Sequence, residues 1–596
     1  MNGRSSGGHT GSEPVNGRAS GGNTGSEGVS GRSSDPVMLR IMLDTFVSIP
    51  EEMGRALRRT AYSPNIKERL DASCALFDGE GILLAQAEHI PVHLGSMPMV
   101  VKAVLESVPD LEKGDAIVVN DPAYGGTHLP DITVIMPVFR LEERIAFVVT
   151  RAHHSDIGGM SPGSMPAGSR ELFQEGLIIP PIRIMQGGKE DHDAIAMILA
   201  NSRTPKERLG DLRAQLSACL LGKRRVLELV ERYGLDTVQK YATEILDYAQ
   251  RVTRERLSSM PDGTFSATEN IEVDLIDGSG MQREKPNNAL SGGDDWSGRR
   301  KETQEKKGRE NDPTIRVTIT IRNGRVTVDF TGTDIEIDGN INAPPAVAHS
   351  AVAFVFRCLA GSDIPNNDGC TRDLNIILPE GTILNPSRNR AVCSGNVETS
   401  QRIVECLFSA MSEILPDTIP AGSQGTMNNV IIGGPDFSYY ETLGGGEGAH
   451  SWRDGESGVH TGMTNTANTP IEAIELAYPL RIMEYSLIDT QGGDGMFRGG
   501  RGIRRSIEIL ARSARLSILS NNRRSSATGR QGGENGEMGH NAIHRNGEII
   551  NLTGMADANL QIGDIVVIET PGGGGWGKRE RRKEDPRILL KKKIGI

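Results

Sequence analysis

Glycine constrains this chain more than any other residue. Of its 596 residues 72 are glycine, and 62 of those lie among the 562 residues from Asp35 onward, above the ~7% of average usage. Aromatic residues reach only 4%, so bulky side chains do not fill the space that glycine leaves. Such a chain must rely on close backbone approach, tight turns and buried loops, above all between Thr331 and Gly577, where glycines interleave with short apolar runs. No stretch reaches the ~18 consecutive apolar residues of a membrane helix, and Met1–Ser34 lacks the apolar segment of a secretory signal. Six scattered cysteines form neither a CxxC pair nor a disulfide framework. The expectation is a reduced, cytoplasmic protein that does not engage a membrane.

The net charge of −11 argues against nucleic acid as a partner. The charge is uneven: Lys578–Ile596 carries nine basic and three acidic residues, a tail that reads as a solvated end. The first 34 residues repeat with a period of 14, as in Asn2-Gly-Arg-Ser-Ser-Gly-Gly and Asn16-Gly-Arg-Ala-Ser-Gly-Gly. They are too polar to offset their ordering entropy and read as a disordered head. Order should begin at Asp35-Pro36, a helix cap followed by proline at the first helical position. Apolar spacing from Met38 to Phe46 predicts a helix interrupted at Pro50 and resumed over Met53–Thr60.

The expected fold class is α+β, with multi-layer mixed β-sheets, a long αα-hairpin and glycine-rich loops. An N-terminal α+β region spans 35–203. An αα-hairpin follows at 204–260, opened by the capping box Thr204-Pro-Lys-Glu207, with Asp236 capping its second helix. A β-rich region spans 261–577, broken by a disordered insert at 284–312, and 578–596 is the basic tail. Just after the insert, alternation from Ile315 to Ile321 and from Val326 to Phe330 around Asn323-Gly324 predicts a type I′ hairpin.

Chemistry concentrates in Asp115–Ser155. Ala116–Val119 reads as a buried strand, and Asn120–Asp131 as a loop whose path is set by Pro and Gly. Ile132–Phe139 and Ile145–Ala152 are β-rich runs joined by the polar Arg140–Arg144. A turn centred on residue 142 pairs residues whose numbers sum to 284, so Asp131 faces His153, with opposed Cβ atoms ~5 Å apart. His128 lies three residues before Asp131, across a kinked Leu-Pro. Two imidazoles and a carboxylate on converging loop ends suit Zn²⁺, Mn²⁺ or Fe²⁺ with open positions; the alternative is a pair of hydrogen-bonded structural histidines. His154 and Asp156 are candidates for orienting the imidazoles or moving a proton. Strand alternation turns His154 away from His153.

Other motifs weigh less. His89 and His93 form an HxxxH pair that Pro91 keeps off a helix, which favours lining a cavity over ligation. Gly159-Met-Ser-Pro-Gly163 has the nucleophile-elbow spacing, but Pro162 lacks the N–H that the oxyanion hole requires. Gly572–Lys578 has phosphate-loop spacing without the Ser or Thr that ligates Mg²⁺, so a terminal turn is the better reading. Three polar clusters, Asn396–Arg402, Gly444–Gly448 and His460–Thr466, read as caps and close-packed loops.

The runs Glu68–Asp78, Ala87–Gly95, Asn120-Asp-Pro with Gly125–Asp131, Gly395–Arg402 and His460–Thr466 resemble the hydantoinase B/oxoprolinase family, from about Asp35 to Lys578. The resemblance implies a metal-containing subunit that works with a hydantoinase A-type partner carrying the ATP site, consistent with the missing phosphate loop. In the related acetone carboxylase catalytic subunits, a His-x-x-Asp and a downstream histidine hold the metal, and His128, Asp131 and His153 fall on that pattern. The function expected is ATP-dependent opening of a hydantoin, oxoproline or lactam ring in a hetero-oligomer, with the metal lowering the pKa of its water toward ~7. A carboxylase of the acetone or acetophenone type and a non-catalytic scaffold are the alternatives.

Overall fold

The computed structural model describes residues 35–87, 90–273, 281–283, 312–489 and 492–579. The repeated head, His89, nearly all of the insert at 284–312 and the tail beyond Arg579 lie outside the described residues.

A seven-stranded sheet organises the N-terminal part. Its order is Leu83–Gln86, Ala72–Asp78, Glu143–His153, Asp131–Arg140, Ala116–Val119, Ile182–Gln186, Lys189–Glu190, antiparallel throughout. Its strands are apolar on both faces because both faces are covered. Cys74, Leu76, Val134, Met136 and Val148 pack against the helices Pro36–Thr60 and Pro205–Tyr233. Ala75, Phe77, Ile135, Phe147 and Val149 pack against Ser96–Ser107. The first helix is continuous through Pro50, contrary to the expected break. Pro50 lacks the N–H that would reach Phe46, yet Phe46, Ile49, Pro50 and Met53 are all buried, and that burial outweighs one missing hydrogen bond. Gly222 permits the contact, since a Cβ there would stand 2.4 Å from Met53 Sδ.

The helices Pro205–Tyr233 and Leu235–Ser258 meet at Gly234. The expected capping box is not made: Thr204 caps nothing, and Glu207 turns to the buried Arg208 instead. Asp236 likewise sits inside the first turn of the second helix rather than at its cap. That helix carries Val238 to Leu246 in the first core and Ala249 and Leu257 in a second. The second core joins the helices Pro345–Ala360 and Ser400–Met411 to a four-stranded sheet. In it the hairpin Thr314–Arg322/Arg325–Asp329 turns at Asn323 and Gly324, both at positive φ, as the type I′ reading requires. A third core lies between a four-stranded and a six-stranded sheet.

Glycine-rich segments cross one another beside that third core. A Cβ on Gly446 would lie 2.1 Å from the Gly500 oxygen, and one on Gly573 2.0 Å from the Glu447 oxygen. The amides of residues 572–577 are all used: Gly572 donates to Glu537, Gly573 to Gly500, Gly574 to Gly422, Gly575 to Glu534, Trp576 to Phe497 and Gly577 to Arg530. No amide in that run is left to cradle a phosphate. No described helix is long and apolar enough to cross a membrane.

Candidate metal centre

The hairpin register places the first two residues. Asp131 pairs with His153, and the sum of 284 holds as far as Val138–Ala146. A bulge between Val138 and Phe139 then absorbs one residue, and Leu141 turns the chain at positive φ. The bulge lies at the far end of the strands, so it leaves the register at the site untouched.

Asn120 fixes the loop that carries His128. Its Nδ2 donates to the Leu129 and Leu177 carbonyls at 2.7 and 3.0 Å, and its Oδ1 accepts from Ile179 N at 2.7 Å. Asp121 caps the next turn through Ala123 N. Gly126 passes so close that a Cβ would stand 2.3 Å from the Asn120 oxygen. A turn from His128 O to Asp131 N then brings both side chains to one side.

His128, Asp131 and His153 are all buried, and each offers a ligating atom within 4.8 Å of the others. His128 Nδ1 is 3.1 Å and His153 Nδ1 3.6 Å from the carboxylate. His128 Nδ1 has the carboxylate as its close polar neighbour, and His153 Nε2 has no hydrogen-bond partner among the described residues. A buried imidazole nitrogen without a partner argues against a satisfied structural histidine at His153, since such an uncompensated group costs ~1–3 kcal/mol. A neutral imidazole nitrogen facing a carboxylate is the donor set of a first-row divalent cation. Asn396 fits the same reading. Its Nδ2 is 3.4 Å from His128 Nε2 while its Oδ1 has no partner. Were His128 to hold a cation through Nδ1, its Nε2 would carry the proton, and the Asn396 oxygen would be the matching acceptor after an amide turn.

Neighbours hold the triad in place. Thr127 Oγ1 donates to Asp131 Oδ2 at 2.6 Å, and His93 Nε2 lies 3.2 Å from the same oxygen with Ser73 on its other nitrogen at 2.8 Å. Burial alone would raise the Asp131 pKa, but the His128 and His93 imidazoles override it and hold the carboxyl well below its usual range. Burial pushes His153 down. Tyr440 stacks on His153 with centroids 4.3 Å apart and planes 8° from parallel, and Arg69 covers the tyrosine ring at 4.7 Å. The Tyr440 hydroxyl donates to Asn429 Oδ1, and Asn429 Nδ2 donates to Glu398. Burial lifts the Glu398 carboxyl to about 7. Glu398 and Asn396 share a π-helical turn, Gly395–Thr399, a form of helix often found at functional sites.

The other sequence candidates lie elsewhere. His154 faces away, as alternation required, with Nε2 2.9 Å from Gln215 Oε1, and burial and Arg208 push its pKa down to about 4. Asp156 accepts from the Gly158, Gly163 and Arg203 amides and from the Arg203 guanidinium, which makes it a loop anchor. Neither is brought to the triad. His93 is brought there, as a residue lining the cavity. Tyr440 and Asn429 escaped the sequence reading, and no local pattern marks them. Beside the triad lies a cavity of about 20 Å³, room for about one water, lined by His93, Asp131, His153, Asn396, Tyr440 and Thr466.

Comparison with known proteins gives this geometry a context. A profile described as hydantoinase B/oxoprolinase matches residues 35–579. The chain is 39% identical to 5-oxoprolinase 1 of Arabidopsis thaliana over 91% of its own length, but spans only 42% of that protein. The crystal structure of the ATP-dependent caprolactamase from Pseudomonas jessenii is similar, with a TM-score of 0.81, 28% identity and 94% of each chain covered. Nucleotide-free acetone carboxylase shares the fold at a TM-score of 0.82 and 20% identity, over 95% of this chain and 78% of that one.

Proposed function

The chain belongs to the hydantoinase B/oxoprolinase family, and on that premise we propose that it is the metal-holding subunit of an ATP-dependent cyclic-amide hydrolase. Its partner is a hydantoinase A-type chain that carries the ATP site. The observation that carries the proposal is the buried His128–Asp131–His153 triad, in which His128 Nδ1 faces the carboxylate and His153 Nε2 has no hydrogen-bond partner among the described residues. The partner phosphorylates the ring carbonyl oxygen of a hydantoin, 5-oxoproline or lactam. This chain receives the activated ring; water adds at the ring carbon, the ring C–N bond breaks as the nitrogen takes up a proton, and a second water cleaves the resulting acyl phosphate to carboxylate and inorganic phosphate. His128, Asp131 and His153 would hold a divalent cation, whose chemistry at that carbon would be Lewis-acid polarisation.

The chain's own residues do the positioning. Thr127 and His93 fix the Asp131 carboxylate, and Tyr440 fixes the plane of His153. Asn396 orients His128. All three ligands are buried, and shielding from bulk water strengthens each electrostatic contact among them. His154 and Asp156 act at a distance from this chemistry, through the packing of the strand and loop that follow His153.

Relatives that bear on the substrate are an oxoprolinase and a caprolactamase, which favours ring opening over carboxylation. The test is reconstitution with a hydantoinase A-type chain, ATP and 5-oxoproline, hydantoin or caprolactam. The proposal expects ATP-dependent release of the ring-opened acid. ATP-dependent incorporation of labelled bicarbonate, or turnover unchanged by His128→Ala, would overturn it.

A further inference from the structure

One and two residues beyond His93, Leu94 and Gly95 line a second cavity of about 220 Å³. A dry apolar cavity of ~150 Å³ already accepts benzene, so a six- or seven-membered ring fits here. The walls are apolar, with Met99, Ala353, Phe356 and Ile364 among them. One side is polar in a particular way. Asn367 is 2% exposed, and its Oδ1 accepts from Gly369 N at 3.0 Å. That bond fixes the orientation of the amide, so its NH₂ cannot be exchanged for the oxygen. The Nδ2 atoms of Asn367 and of its neighbour Asn366 are both buried without a hydrogen-bond partner, and both residues line the cavity.

Arg357 and Asp368 also line it, so the lining offers one charge of each sign and no preference for an ion. His349 sits in the same wall, and burial pushes its pKa down, away from the charged form. Two amide donors set in an apolar, charge-balanced wall match a ligand that is apolar, uncharged and able to accept a hydrogen bond. We propose that this cavity is a binding site for a small uncharged molecule with an apolar body and a carbonyl oxygen, held by the Asn366 and Asn367 amides. The proposal stands apart from the metal centre: no residue of the triad lines this cavity.

The test uses cyclohexanone and its isostere methylenecyclohexane as probes, titrated against the full chain by ligand-observed saturation-transfer NMR. Asn367→Asp keeps the acceptor that caps Gly369 and removes the NH₂. Ala353→Phe fills the cavity, and Ala353→Leu is a milder filling should the first disturb the helix Pro345–Ala360. The expected results are saturable binding of cyclohexanone, and a ~3–10-fold weaker affinity for the hydrocarbon, the size of one neutral hydrogen bond. Asn367→Asp weakens the ketone by a similar factor and leaves the hydrocarbon unchanged, and the filling variants abolish both. Failure of cyclohexanone to bind, equal affinities for the two probes, or binding that survives both filling variants would overturn the proposal.

Discussion

Gly395→Ala puts a single methyl against the frame of the site. A Cβ at position 395 would stand 1.9 Å from the Asn342 oxygen, 2.5 Å from its carbonyl carbon and 2.8 Å from Ala343 Cα, all backbone atoms. Asn342 cannot yield easily. Its side chain donates to the Ile337, Gly339 and Ala391 carbonyls and accepts from Ile337 N. The π-helical turn must therefore retreat by more than an ångström, breaking the bond from Gly395 N to the Asn340 oxygen. Overpacking plus one lost hydrogen bond predicts a destabilisation of about 2–4 kcal/mol, read as a lower midpoint in urea at unchanged m-value. The same movement takes Asn396 from His128 and Glu398 from Asn429. Loss of such an outer partner predicts metal affinity reduced ~10–100-fold. A variant within 1 kcal/mol of wild type that also keeps its metal affinity would refute the claim that this turn braces the site.

Tyr440→Phe keeps the stack on His153 and loses only the bond to Asn429, at a cost of about 1 kcal/mol. Tyr440→Leu loses the stack as well, and calorimetric metal titration should show weaker binding in Leu than in Phe. Burial would raise Glu447, but His450, Arg453 and the Glu456 amide outweigh it and lower its pKa to about 2. Its contribution is therefore complete above pH ~4.5 and lost as pH falls toward 2. After discount for partial exposure it amounts to ~1–2 kcal/mol, and Glu447→Gln should flatten that acid limb in denaturation measured at successive pH values. Lys578→Ala should leave the ATP-dependent turnover of the reconstituted complex unchanged, because the amides of residues 572–577 are committed to the glycine lattice.

What the sequence disclosed follows from the range of the interactions involved. The pairing of Asp131 with His153 was legible because alternation and a short turn set the register locally, and the late bulge did not reach it. The glycine content foretold backbone contacts such as Gly446 with Gly573 and Gly500, since only a missing side chain admits them. The capping box failed for a tertiary reason: Glu207 pairs with Arg208, a fully buried guanidinium that also needs Asp211. Pro50 misled in the same way, because packing against a distant helix kept the helix intact. Tyr440 and Asn396 reach the site from about 290 and 270 residues away along the chain, and nothing in their neighbourhoods predicts which histidine they meet. His93 left one trace, an imidazole beside Pro91 in an otherwise apolar run.

The proposed function requires that His128, Asp131 and His153 together grip one divalent cation. Elemental analysis of the purified chain, beside His128→Gln, Asp131→Asn and His153→Gln variants with unchanged circular dichroism, tests it most directly. About one Zn, Mn or Fe per wild-type chain is expected, with loss of that metal in each variant. Stoichiometric metal retained by all three, or a metal-free wild type that sustains turnover with its partner, would contradict it.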